Sequence, residues 1–173
     1  MSDLPELLLH IGAGKTGSTS IQFTLKQARE KLEEQGTVYA GLMLELIPGA
    51  RKHDWCVEGA PQKYFRSEDR EQTNEEVYRV IRGALDKYAA HGIRQVIWSN
   101  EAFLPRWDYI LPVIERLAAD GVPIRVMCYV RRHDKWARSG YVQFGIKYKT
   151  YAGPLRSFAD WIGAQNIGYA RNL

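Results

Sequence analysis

Residues 7–20 read LLLHIGAGKTGSTS, in which an apolar run is followed by a glycine-rich turn and a cluster of hydroxyl residues. The three leucines and Ile11 predict a buried parallel strand that Gly12 ends. From Ser18 onward, apolar residues recur at spacings of three and four, which predicts a helix that Gly36 ends. A strand, a tight turn and a helix in this order are typical of the first unit of an α/β domain.

The rest of the chain continues this alternation of strands and helices. Apolar runs predict three more strands, and periodic apolar positions between them predict helices. Such alternation indicates a three-layer αβα domain with a central parallel sheet. Residues 41–72 predict a long loop with room for a short helix, and loops of this length are often functional. The other predicted elements are strands at 37–40, 95–99 and 124–130, and helices from Thr73 or Asn74 to Ala90, from Trp107 to Ala119, from Asp134 to Tyr148 and from Leu155 to Ala164.

The composition is that of one soluble domain. The 173 residues are 45% hydrophobic and 25% charged, which excludes a disordered chain and allows a core that needs neither disulfide nor metal. The net charge of +4 suits an anionic ligand, but basic and acidic residues are interleaved, so nucleic-acid binding is not predicted. Cys56 in a polar loop and Cys128 in an apolar strand predict no disulfide framework. The N-terminal apolar run is too short for a signal peptide or membrane span, so the expected location is the cytoplasm.

The turn after the first strand has the chemistry of an anion site. A helix N-terminus presents unpaired N–H groups and a partial positive charge, and glycines let the backbone bend closely around an anion. Lys15 adds a full positive charge. A phosphate or sulfate group is therefore the expected ligand, although a tight turn with an exposed lysine would show the same residues. The residues expected to surround the anion are Gly14, Lys15, Thr16, Gly17, Ser18, Thr19 and Ser20.

Two familiar nucleotide motifs fit this turn poorly. The Walker A pattern needs a lysine directly after its second glycine, and with Gly12 as the first glycine that place is taken by Ser18. With Lys15 in the lysine place, the first glycine would have to stand where Leu9 does. The dinucleotide pattern G-x-G-x-x-G matches the three glycines, but no acidic residue follows on a convincing second strand. A nicotinamide cofactor is therefore not expected.

A second anion site is predicted where the strand at 124–130 ends. Arg131 follows that strand directly, and Ser139 lies eight residues later on the next predicted helix. Ligands of open α/β sheets bind beyond the carboxyl ends of the strands, so an arginine fork and a hydroxyl can converge there on one anion. Trp136 and Tyr141 are interpreted as packing residues, with adenine stacking as the alternative.

Glu101 is the carboxylate that directly follows the buried strand at 95–99, two residues after Ser99. At this edge of the sheet it can take a proton from a bound hydroxyl, and a solvated helix-start carboxylate is the alternative. The strand and loop residues that could also contribute to a site are His10, His53, Asp54 and Glu58. The first is interpreted as a packed core histidine, and the loop residues either line an acceptor site or are solvated.

Together these segments resemble the sulfotransferases that use 3′-phosphoadenosine 5′-phosphosulfate, in the order of that family. The phosphosulfate loop of the family reads roughly K-[ST]-G-[ST]-[ST], and residues 15–19, KTGST, fit every position. The 3′-phosphate motif of the family has an arginine at a strand end and a serine eight residues later, as Arg131 and Ser139 are. The run at 130–143 is particularly similar to bacterial and carbohydrate-type members. A His or Glu base stands in the family where Glu101 stands.

The resemblance implies a P-loop NTPase-like sulfotransferase fold, in a single domain over 1–173 that is C-terminally short. It implies an enzyme that moves a sulfuryl group to a hydroxyl or amine of a small-molecule or carbohydrate acceptor, without a metal. Lys15 and Glu101 would be catalytic, and the loop residues with Arg131 and Ser139 would hold the nucleotide. Two alternatives stay open: a P-loop kinase or other NTPase that acts on a small molecule, and a non-catalytic nucleotide-binding remnant.

Overall fold

A computed structural model of the protein has a central sheet of four parallel strands. The structure describes residues 4–57, 62–149 and 151–164. The α/β class and the parallel sheet predicted from the sequence are confirmed, with a last strand shorter than the one expected at 124–130. The strands are β1 (Glu6–His10), β2 (Thr37–Gly41), β3 (Gln95–Ser99) and β4 (Ile124–Met127), in the order β2-β3-β1-β4 across the sheet.

The register brings the carboxyl ends of three strands side by side. His10 at the end of β1 pairs with Ser99 of β3 on one side and with Met127 of β4 on the other. Backbone bonds continue past the strands: the N–H of Ile11 donates to Met127 at 2.9 Å, and the N–H of Asn100 donates to His10 at 2.9 Å. The segments that follow β1, β3 and β4 therefore leave from one edge of the sheet.

Helices precede and follow these strands. None of the described helices is long and apolar enough to cross a membrane. The helices are α1 (Ser18–Gln27), α2 (Arg29–Glu34), α3 (Gln62–Phe65), α4 (Arg70–Ala90), α5 (Trp107–Ala119), α6 (His133–Gly140) and α7 (Phe158–Gly163), with 3₁₀ turns at Ala50–Lys52 and Leu104–Arg106 and a π-helical turn at Tyr141–Lys147.

Several helix boundaries differ from the sequence-based prediction. The helix expected from Leu155 begins at Phe158, because Ser157 accepts the N–H of Asp160 at 3.1 Å and so caps α7. The helix expected from Ser18 to Gly36 breaks at Ala28 into α1 and α2. The helix expected at 73 or 74 begins earlier, because Asp69 accepts the N–H of Gln72 at 2.9 Å and so caps α4.

The helix expected to run to Tyr148 changes into a π-helical turn after α6. A side-chain carbon at Gly145 would overlap the ring of Tyr141, which lies one helical turn earlier. The glycine and the wider turn together make room for that ring. Tyr141 packs at the edge of Phe158, with 5.5 Å between ring centres, so the packing interpretation of this tyrosine agrees with the structure.

One face of the sheet carries the main core. Leu7, Leu9, Val96 and Trp98 are each 0% exposed on this face, and burying each such side chain stabilises the fold by about 1.5–3 kcal/mol. The helical residues packed in the same core come from α4 and α5 and are Val77, Ile81, Ala84, Leu85, Ile110, Val113, Ile114 and Leu117.

The opposite face of the sheet is more thinly covered. The helix α1 reaches it through Gln22, whose amide lies 3.4 Å from the hydroxyl of Ser99, so helices flank the sheet on both faces. In α1 only Ser18 is buried. At the edge of the sheet, Arg125 and Val126 of β4 are exposed. The fourth strand is therefore a partly solvated edge strand.

The segment 41–72, predicted as a long loop with room for a short helix, contains a 3₁₀ turn and α3 within its described residues 41–57 and 62–72. Trp98 donates its indole N–H to the carbonyl oxygen of Leu42 at 2.8 Å, which ties the start of this segment to β3. Trp55 and Cys56 are 4% and 1% exposed. Cys56 is therefore a buried thiol, whereas the sequence placed it in a polar loop. Cys128, expected to be buried in a strand, lies just beyond β4 and is half-buried.

Candidate functional site

The turn after β1 passes through the left-handed region of backbone conformation. Gly12, Lys15 and Gly17 have φ angles of 31°, 69° and 97°. A lysine in this region is strained, and strain of this kind clusters at ligand-binding sites. The helix α1 begins at Ser18, and no side chain among the described residues caps its N-terminus. The first N–H groups of α1 are therefore available to an anion in front of the turn.

Three side chains from the segment after β4 hold this turn. Arg131 donates Nη1 to the carbonyl oxygen of Lys15 at 3.2 Å, and Trp136 donates Nε1 to the carbonyl oxygen of Gly14 at 3.0 Å. The ammonium of Lys15 donates to Oε1 of Gln143. The structure thus brings the two predicted anion segments into direct contact, although 116 positions separate Lys15 from Arg131.

Ser139 lies on α6, three residues after Trp136, and is half-buried. Residues at this spacing share a helix face, so Ser139 lies on the same side of α6 as the tryptophan that contacts the turn. Arg131 is exposed, so the cationic side of the site is open to a ligand from solution.

The predicted hydroxyl donors of the turn have different environments. Thr16 donates its hydroxyl to the carbonyl oxygen of Ala13, which closes the turn and uses this hydrogen within the loop. Ser18 is 4% exposed, whereas Thr19 and Ser20 are exposed at the start of α1. Backbone N–H groups, the lysine ammonium and the two exposed hydroxyls are therefore the groups best placed to meet an anion.

Glu101 stands in a turn that Asn100 fixes. Asn100 is 1% exposed, and it donates Nδ2 to Leu42 at 3.1 Å and accepts the N–H of Ala102 on Oδ1 at 3.0 Å. Glu101 is half-buried, and its Oε2 accepts a hydrogen bond from Nε2 of Gln22 at 2.7 Å. Gln22 belongs to α1, which begins directly after the turn. The hydrogen bond from Gln22 therefore links the carboxylate of Glu101 to the same helix that follows the turn.

Behind Glu101, His10 and Ser99 form a buried polar pair at the paired ends of β1 and β3. Both residues are 0% exposed, and Nδ1 of His10 lies 2.7 Å from Oγ of Ser99. Burial lowers the pKa of His10 below its usual value, and the charge of Glu101 offsets part of that effect. His10 is therefore buried, as expected, but it is also part of a hydrogen-bonded group next to the site.

The structure groups the histidine of the 41–72 segment with α4. Nδ1 of His53 lies 3.1 Å from Oε2 of Glu76, and Trp55 donates its indole N–H to the same oxygen at 2.8 Å. These residues border a cavity of about 550 Å³, with Asp54 on its lining. Glu58, also considered for an acceptor site, lies outside the described residues.

Sequence reasoning did not assign Gln22 or Gln143 to the site. Gln22 lies one helical turn after Ser18 and reaches the sheet at Ser99. Three of its four neighbours one turn away on α1 are polar, namely Ser18, Thr19 and Lys26, so no interrupted apolar face marked it in the sequence. Gln143 also carried no signal, because its contact depends on the π-helical turn. Trp136, interpreted as packing, also holds the loop.

Comparison with known proteins finds no matching family model, no matching curated protein and no matching solved structure. Over the ranges 4–57, 62–149 and 151–164, no group of three or more His, Cys, Asp or Glu side chains has an arrangement that could hold a metal ion.

Proposed function

We propose that the protein binds 3′-phosphoadenosine 5′-phosphosulfate at the turn after β1 and transfers its sulfuryl group to an acceptor hydroxyl or amine. The proposal includes the finer fold assignment, a P-loop NTPase-like sulfotransferase fold. The observation that carries it is the contact of Arg131 with the carbonyl oxygen of Lys15 at 3.2 Å. Two cationic segments that are distant in sequence meet at one edge of the sheet, where a ligand with two separate anionic groups can bridge them.

The residues present suit the two ends of such a ligand. The strained turn at Lys15 and the uncapped start of α1 offer backbone N–H groups to the phosphosulfate. Arg131 and Ser139 can hold the 3′-phosphate by a fork and a hydroxyl. A ligand with a 5′-anion alone, such as ATP, would leave the second pair of donors unused.

The proposed role of Lys15 is to neutralise the oxygen that leaves. The donor supplies an activated sulfuryl group, joined to the 5′-phosphate through a bridging oxygen. The acceptor oxygen forms a bond to sulfur while the bond from sulfur to the bridging oxygen breaks, and the electron pair stays on that oxygen. Lys15 gives up its hydrogen bond to Gln143 in order to reach this developing charge.

The proposed role of Glu101 is to take the proton of the acceptor. Its carboxylate is half-buried at the end of β3, next to the turn. The proton passes to this carboxylate as the acceptor oxygen bonds to sulfur, and the charge lost there balances the charge gained by the leaving phosphate. Positioning and electrostatics therefore account for the chemistry, and the acceptor is a small molecule or carbohydrate that offers a hydroxyl or amine.

The proposal is tested by calorimetry followed by transfer assays. We expect 3′-phosphoadenosine 5′-phosphate to bind more tightly than ATP, with no requirement for Mg²⁺. A preference for ATP that depends on Mg²⁺ would instead identify a kinase or other NTPase. Labelled sulfate should then move from the donor to members of a panel of hydroxyl and amine acceptors, whereas binding without transfer would identify a non-catalytic nucleotide-binding protein.

A further inference from the structure

A row of four polar groups runs from the buried core to the proposed base. Nδ1 of His10 lies 2.7 Å from Oγ of Ser99. The amide Nε2 of Gln22 lies 3.4 Å from the same hydroxyl oxygen and 2.7 Å from Oε2 of Glu101. The row joins β1, β3 and α1, the three elements that carry the turn and the carboxylate.

The order of donors and acceptors in this row follows from the carboxylate at its end. An ionised carboxylate only accepts hydrogen bonds, so the amide nitrogen of Gln22 must face Glu101. The second amide hydrogen of Gln22 is directed at Ser99, whose hydroxyl and carbonyl oxygens lie 3.4 and 3.5 Å from the amide nitrogen. When the hydroxyl hydrogen of Ser99 is directed at Nδ1 of His10, the neutral imidazole accepts there and carries its own proton on Nε2.

The turn after β1 packs closely against His10. Its side chain is 0% exposed, and within the described residues its Nε2 is buried without a hydrogen-bond partner. A side-chain carbon at Gly12 would lie 3.0 Å from this nitrogen and 3.7 Å from Cβ of Glu101. The turn therefore passes directly over the imidazole, and only a glycine allows that approach.

An unpartnered polar atom in a core is costly, and an apolar side chain could fill the same volume without that cost. The polar row is present in spite of this cost, and it ends on the half-buried carboxylate of Glu101. A row that holds this carboxylate in one position would explain why the cost is tolerated. We infer that Gln22 is a positioning residue for Glu101, with Ser99 and His10 as its buried support. The inference rests on the proposed function, in which Glu101 takes the acceptor proton, and it adds that Gln22 fixes the direction from which the proton is taken.

The inference is tested with Gln22→Met, which keeps the length of the side chain and removes the amide. Gln22 is half-buried, so the variant is expected to fold, and urea unfolding checks this. We expect kcat to fall by about tenfold to a hundredfold, since small misplacements of reacting groups have effects of this size. The affinity for 3′-phosphoadenosine 5′-phosphate should stay within about twofold. Gln27→Met, at the exposed end of the same helix, is the matched control and should leave kcat unchanged.

A double-mutant cycle separates positioning from a general structural effect. If Gln22 acts through Glu101, then Gln22→Met should cause little further loss when Glu101 is already replaced by Gln. Equal losses of kcat in both backgrounds, or unchanged kcat in the single variant, would overturn the inference.

A spectroscopic readout keeps the inference testable if no sulfuryl transfer is found at all. The side-chain amide signals of Gln22 should shift in Glu101→Gln, and the nitrogen signals of His10 should be those of a neutral ring protonated on Nε2. Absence of transfer together with these signals would reject the proposed function but keep the polar row. Unshifted Gln22 signals, or a proton on Nδ1 of His10, would reject the row itself.

Discussion

The two sides of the candidate site are built differently, although they share one edge of the sheet. On the side of β1 and β3, His10, Ser99 and Asn100 are at most 1% exposed and hydrogen-bond directly behind the turn and Glu101. On the side of β4, Arg131 is exposed, and Val130 next to it is 59% exposed. One side is fixed by the core. The other is paired with β1 through backbone bonds as far as Tyr129, whose carbonyl oxygen accepts the N–H of Ala13 at 3.1 Å, and beyond Tyr129 it contacts the turn through side chains.

This difference teaches which part of the site depends on the ligand. Groups supported by a packed core keep their geometry without a ligand, whereas a segment held by a few exposed hydrogen bonds opens more easily. A ligand that bridges Lys15 and Arg131 should therefore order the β4 side much more than the β1–β3 side. The fixed side is the one where the proposal places the chemistry, which needs the more exact geometry.

The largest effect is expected from the fixed side. Lys15→Ala removes the only full positive charge of the turn at 12–20, and turnover should fall by about 10²–10³-fold with the fold intact. Labelled-sulfate transfer measures the loss, and urea unfolding measures the stability. Lys31→Ala, on the exposed surface of α2, is the control. Turnover close to wild type in Lys15→Ala would remove the lysine from the mechanism.

The next effect concerns the less supported side. Consider a segment that opens only after the ligand leaves. At a concentration of 3′-phosphoadenosine 5′-phosphate about a hundred times its Kd, amide hydrogen exchange in that segment should slow by about 100-fold. Amide hydrogen exchange should show protection approaching this size across 128–143 and much smaller changes in β1 and β3. Equal protection of both sides, or protection confined to the turn, would contradict the contrast between them.

The contrast also explains what could be read from the sequence. The glycine-rich turn and the strand before it were predictable, because an apolar run and the glycines that follow it each carry a local signal. The position of Glu101 just beyond a buried strand was predictable in the same way. These features lie on the side of the site that the core supports, where local pattern and packing agree.

The β4 side was less predictable for a physical reason. The apolar run at 124–130 predicted a strand, but how far a strand is buried depends on what lies beside it, and Val126 is 48% exposed. The contacts of Trp136 and Gln143 with the turn depend on how α6 and the π-helical turn pack against another part of the chain. Such long-range contacts leave no periodic trace in the sequence.

The smallest effect is expected in the cluster at α4, which the ligand should not touch. Burial acts to raise the pKa of Glu76, but hydrogen bonds from Trp55 and Gln72 and the charge of His53 outweigh it, so the pKa lies below its usual value. Glu76→Gln should therefore cost about 1 kcal/mol of unfolding free energy at pH 7.

The sign of the pH dependence follows from the lowered pKa of Glu76. The carboxylate stabilises the fold fully above its unfolded pKa of about 4.3, and this contribution is lost as the pH falls through the lower folded value. The difference between wild type and Glu76→Gln in urea unfolding should thus shrink below about pH 4. A constant difference, or a changed affinity for 3′-phosphoadenosine 5′-phosphate at pH 7, would show that this cluster is not a separate structural unit.

In the proposed complex, one ligand bridges Lys15 and Arg131 with two anionic groups. Calorimetry should compare 3′-phosphoadenosine 5′-phosphate with adenosine 5′-phosphate, which lacks the 3′-phosphate, in the wild type and in Arg131→Ala. Charge-assisted hydrogen bonds of about 1.5–3 kcal/mol predict a wild-type preference of at least about tenfold for the bisphosphate. The preference should nearly disappear in Arg131→Ala, while the affinity for adenosine 5′-phosphate changes little. Equal affinities for the two nucleotides in the wild type, or an undiminished preference in the variant, would contradict the account.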